Sequence, residues 1–149
     1  MAITYAAILG AVKTTMAAVS GIARVEAYNN LQEGLPDLPL IRIYPQKGAV
    51  LGAETAQNTF GKGVQTTNLT LKMQVFVRQR SQLGEDHKAQ LDMLDAISTK
   101  LESLTAPYFG VSGIKGLGWS WDFVTFTQGE GQSVTRYPGL DFTLELKIF

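Results

Sequence analysis

At 149 residues, 45% of them hydrophobic, the chain has the size of one domain with a packed core, which excludes wholesale disorder. The 13 basic residues balance the 13 acidic ones, so net charge draws the chain neither to phosphate backbones nor to anionic lipid; no direct nucleic-acid recognition and no membrane partner is expected. The absence of cysteine excludes disulfides, thiolate nucleophiles and cysteine-based metal centres, and fits a reducing cytoplasm.

Ala6 to Val12 imitates the apolar stretch of a secretion signal, but it lacks a basic leader and Lys13 interrupts it. Its apolar residues follow helical spacing instead. Thr4 caps a helix to about Val19, with Tyr5, Ile8, Leu9, Val12, Met16 and Val19 on one stripe, and Ser20-Gly21 stops it. Ile22 to Tyr28 reads as a short strand. Turn chemistry follows at Asn29-Asn30 and Gly34 to Asp37, then a second strand, Leu38 to Tyr44, that ends at Pro45. Gln46 to Thr67 carries Gly48, Gly52, Gly61 and Gly63 and keeps neither period, so it is expected to be a long mobile loop.

Asn68 to Arg80 alternates as a strand, with Leu69, Leu71, Met73, Val75 and Val77 on one side. Gly84 to Leu104 reads as a second helix with a stripe of His87, Leu91, Leu94, Ile97, Leu101 and Leu104; Asp92, Asp95 and Glu102 face outward. Pro107 and the glycines at 110, 113, 116 and 118 mark a looping stretch. Trp119 to Thr127 is a strand whose Trp119, Trp121 and Phe123 share a face and are expected in the core. After a polar turn, Leu140, Phe142, Leu144, Leu146 and Ile148 alternate cleanly with polar residues to make the last strand. No run reaches the ~18 apolar residues a membrane span needs. The order α-β-β-β-α-β-β gives an α+β domain over residues 1–149: one mainly antiparallel sheet of about five strands, with two helices packed on one face.

Chemistry-bearing motifs are weak. Ala56 to Gly63 matches a phosphate-binding loop only at Gly61-Lys62, and no helix follows it. Gly113 to Gly118 has the wrong glycine order for a dinucleotide fingerprint and leads into a strand. His87 is the single histidine, with no nucleophile and carboxylate arranged about it. Asp92 and Asp95 read as a solvated helix face. Asp122, between Trp121 and Phe123, is the one acid in an aromatic setting, and it faces away from the tryptophans. Asn68-Leu69-Thr70 matches a glycosylation sequon, read as chance without a secretion signal. No catalytic residue, cofactor or metal is assigned. A binding surface is left: the glycine-threaded segment with Gly48, Val50, Leu51, Phe60 and Lys62, the strand end with Arg78 and Arg80, and Phe76 and Phe126 on the sheet face away from the helices.

In layout and local phrasing the chain resembles the tail terminator and minor tail (tail-completion) proteins of long-tailed bacteriophages. The resemblance lies in the helix ending Val19-Ser20-Gly21-Ile22, in Leu35-Pro36-Asp37-Leu38-Pro39-Leu40-Ile41-Arg42-Ile43-Tyr44-Pro45, in the strand Leu69 to Arg78 leading to the helix Asp86 to Leu104, and in the strand Tyr137 to Phe149. It implies a virion structural protein of the tail and neck, held in the host cytoplasm before assembly. Such a protein forms a homo-oligomeric ring, usually a hexamer, between the tail tube protein and the neck or head-completion proteins. In that family a mobile loop orders against neighbouring subunits, and Gly48 to Thr67 holds the equivalent position. A host-side or viral adaptor or ligand-binding module, acting as monomer or dimer, is the alternative; a small enzyme using Asp122 or His87 is a third reading.

Overall fold

The computed structural model describes residues 4–27, 38–52, 65–78, 83–128 and 135–148. It contains helix α1 (Tyr5–Ala17), strands β1 (Arg24–Glu26), β2 (Leu40–Gly52) and β3 (Gln65–Phe76), helix α2 (Leu83–Glu102), a single 3-10 turn (Tyr108–Gly110), and strands β4 (Ile114–Gln128) and β5 (Thr135–Ile148). The strands form one sheet in the order β1-β2-β3-β5-β4. Only β1 and β2 run parallel; every other pair is antiparallel, so the sheet is mixed and the α+β architecture holds.

Local chemistry explains α1. The Thr4 hydroxyl accepts the Ala7 amide at 3.1 Å, satisfying one of the free donors at the helix start. Ile8, Leu9, Val12 and Met16 are buried at three- and four-residue spacing. Gly21, at φ 88, supplies the left-handed turn that ends the segment. These side chains join Met93, Ile97 and Leu101 of α2 over Ile41 and Ile43 of β2, Leu69 to Val75 of β3 and Leu140 to Ile148 of β5. Both helices therefore cover one face of the sheet.

Four sequence expectations are corrected. Strand β2 does not stop at Pro45: it continues to Gly52 across a bulge between Pro45 and Lys47. β1 pairs only with Leu40 to Arg42, so beyond that point no described strand claims the outer side of β2, where a residue without an N–H is tolerated. The expected loop at about 46–67 is thus strand at both ends, with a ladder from Lys47–Thr70 to Gly52–Gln65; residues 53–64 lie outside the described residues. Strand β4 begins at Ile114, and its Gly116 and Gly118 flank a bulge instead of marking a loop. The extra residue is needed because Ile114 and Trp119, five apart, both face the core and a regular strand would put them on opposite faces.

The fourth correction is the stripe of α2. Its buried positions are Asp86, Gln90, Met93, Ile97 and Leu101, while His87 is exposed and Leu91 is 51% exposed. Two polar residues take the inner face because each finds partners there. Gln90 Nε2 donates to Gly139 O at 2.9 Å and to Val124 O at 3.4 Å, and Asp86 Oδ1 lies 3.4 Å from Arg78 Nε.

Candidate functional site

The face of the sheet away from the helices is mainly polar and ordered by register. One row crosses all five strands: Glu26, Arg42, Gln74, Asp141 and Asp122 are successive partners. Glu26 is fully buried between Arg24 Nε at 3.1 Å and Arg42 Nε at 3.3 Å. Burial of a carboxylate is tolerated when hydrogen-bonded cations surround it, and removing one member leaves an uncompensated charge. At the other end of the row Asp122 stands directly opposite Asp141. Lys72 Nζ, 3.4 Å from Asp141 Oδ2, offsets the like-charge pairing.

The next two rows hold an aromatic cluster. Phe76 and Phe126 come from the strands on either side of β5 and their ring centroids are 4.4 Å apart; Tyr137 stands edge-on to Phe76 at 6.2 Å, and the Arg42 guanidinium lies 5.4 Å from the Phe76 centroid. Gly139 makes this meeting possible. A Cβ there would run into Val75 O and stand 2.8 Å from the Phe126 ring.

At two places the sheet has a strand side with no partner among the described residues. Strand β4 is an edge strand of 15 residues, and its outer side has no partner strand among the described residues. On its helix-side face Trp121 is 44% and Phe123 51% exposed, although the Trp121 ring still stands 6.5 Å from core Phe142. The expectation of both in the core is corrected: they lie at the rim, where helix cover runs out. At the far side of the sheet, the outer side of β2 past Arg42 is likewise unclaimed among the described residues. A groove of ≈ 460 Å³ runs there between Tyr5 and Leu9 of α1 and Pro45, Lys47, Gly48 and Leu69.

The predicted binding residues fall into separate places. Gly48 is exposed on β2, opposite Leu69. Val50 and Leu51 lie further along it, opposite Thr67 and Thr66. Phe76 is only 3% exposed and packs against Phe126 and Tyr137 of its own chain. Arg78 is engaged with Asp86 and, at 3.9 Å, Glu85 at the start of α2. Phe126 is half-buried over Gly139. Phe60, Lys62 and Arg80 lie outside the described residues. Asp122 and His87, the residues of the enzyme reading, are both exposed, on β4 and α2 respectively. Among the described residues no helix is long and apolar enough to cross a membrane.

Sequence reasoning passed over Trp121 and Phe123 as surface residues because alternation places them on the core face, and only the strand order shows that this face ends at β4. Comparison with protein-family models finds none that matches the chain, and comparison with curated proteins finds no significant match.

Proposed function

We propose that this protein is a non-enzymatic structural subunit of a bacteriophage virion. It assembles head-to-tail into a ring at the head-proximal end of the tail, closing the tube and joining it to the neck. The observation that supports this most is the long edge strand β4, with Trp121 and Phe123 half out of the core. An unpaired edge of this length invites a second chain, and proteins that remain monomeric blunt such edges with charge, proline or a cover. The outer side of β2 beyond Arg42 offers a second edge at the other limit of the sheet. Joining two different edges of identical copies is a heterologous contact, which closes into a ring when its rotation divides a full turn. The resemblance to tail terminators supplies the ring of six and the place in the virion.

The test is the mass of the purified protein by light scattering, alone and with tail tubes, for the wild type and for Phe123→Glu. The wild type is expected to form a species several times the mass of one chain, at least on tubes. Phe123→Glu, at an exposed position, is expected to stay a folded monomer. A wild type that remains monomeric or dimeric with tubes present supports the adaptor or ligand-binding reading and overturns the ring.

A further inference from the structure

We propose that the two open sides of the sheet are halves of one joint between copies: β4 of one copy pairs antiparallel with β2 of the next, past Arg42, in the register that sets Trp121 opposite Gly48 and Asp122 opposite Lys47. This names the partner surfaces of the assembly reading and rests on it.

Side chains meet across such a joint only on a shared face, because a sheet that continues into another keeps its two faces apart. Trp121 and Phe123 stand opposite core residues Phe142 and Leu140, and Gly48 stands opposite core residue Leu69, so all three are on the helix side. Asp122 and Lys47 are exposed on the other face, opposite Asp141 and Thr70. The backbone agrees. Along an antiparallel strand, successive residues turn their N–H and C=O groups to opposite neighbours. Val77 N donates to Pro138 O at 3.1 Å, so odd-numbered residues of β3 bond to β5 and even-numbered ones to β2. Carried across the ladders, this turns the backbone groups of Gly48 away from β3 and those of Trp121 away from β5, both toward the open sides. Trp121 opposite Gly48 is then a hydrogen-bonded pair, and Asp122 opposite Lys47 a closely spaced pair without backbone bonds.

The register also answers two local features. The groove of ≈ 460 Å³ beside Tyr5, Leu9, Pro45 and Leu69 is open at Gly48, which has no side chain to fill it. The Trp121 ring of the adjacent copy lies over that glycine, as aromatic rings cover glycines at sheet edges. Lys72 pairs with Asp141, whereas among the described residues no cation pairs with Asp122; Lys47 of the adjacent copy supplies one. A two-fold β4–β4 pairing centred on Trp121 would instead set the two Asp122 side chains diagonally across the joint and leave the groove empty.

The chain has no cysteine, so introduced pairs report the joint without background. Oxidation of the assembled Lys47→Cys, Asp122→Cys double variant is expected to give covalent chains of several copies on a denaturing gel, since closely spaced cross-strand pairs have the Cβ separation a disulfide needs. Neither single variant is expected to link. Separately, Lys47→Asp and Asp122→Lys are each expected to raise the concentration needed for assembly about fivefold, and the two combined to restore it. Both positions are exposed, and circular dichroism checks that the variants fold. A wild type that never assembles removes the ring reading and this joint together. A wild type that assembles while the double cysteine variant stays unlinked, or while the combined charge exchange fails to restore assembly, overturns the joint alone. Linking by Asp122→Cys by itself identifies a β4–β4 pairing and also overturns it.

Discussion

Glycine shows how far a single residue depends on its surroundings here. Gly10 sits inside α1 with nothing within 4 Å of a built Cβ, whereas at Gly139 the same atom would collide with Val75 O and the Phe126 ring. Gly10→Ala is therefore expected to raise stability by about 0.5–1 kcal/mol, the usual difference in helix propensity. Gly139→Ala should lower it by about 1–3 kcal/mol, as overpacking does. Urea denaturation of both variants checks the opposite signs; a Gly139→Ala protein as stable as the wild type would contradict the packing described. Gln90→Leu keeps the volume but removes the donor to Gly139 O and Val124 O. A loss of about 1–3 kcal/mol is expected from removing these hydrogen bonds at the helix–sheet contact. The propensity cost of Gly10 is legible in the sequence, where the glycine also suggests close packing that the open space around it corrects; the surroundings of Gly139 and Gln90 are not legible there. Helical period alone favoured the more apolar stripe through Leu91 and Leu94, while the true inner face is fixed by partners brought from β4, from β5 and from Arg78 just past β3.

At the scale of elements the sequence was more readable. Alternation identified β3 and β5, and the capping threonine with its apolar stripe identified α1, because each signal is local. The bulges were not readable: Pro45, Gly116 and Gly118 all carry the usual signature of a strand ending, and only pairing shows that the ladder resumes one residue later. The distinction has consequences for the arm formed by the far halves of β2 and β3. Since its ladder reaches Gly52–Gln65, replacing Ala53 to Lys62 with a short turn is expected to leave the melting temperature nearly unchanged and to abolish assembly. Assembly that survives the replacement would remove this segment from the interface. Amide exchange gives an independent check. In the dispersed protein, β3 and β5, paired on both sides, are expected to protect their amides best, and the outward amides of β4 least. On assembly the β4 amides should become protected; if they exchange as before, the edge is not the contact.

For the whole molecule, one core beneath two helices holds the domain together, and among the described residues the outer sides of β4 and of β2 past Arg42 have no partner strand. Composition and element order established the α+β layout, since both follow from length, period and turn chemistry. The exposure of individual aromatic residues did not follow as directly: Phe76 was drawn inside by Phe126 and Tyr137, and Trp121 and Phe123 were left at the rim by the position of β4 in the strand order. The balance of 13 basic and 13 acidic residues leaves no net repulsion to oppose close packing of copies. Electron cryomicroscopy of assembled tails tests the central claim most directly. The account predicts a closed ring of this chain at the head-proximal end of the tube, with Trp121 and Phe123 covered by the adjacent copy; tails that carry no such ring, or a ring in which both side chains face solvent, would contradict it.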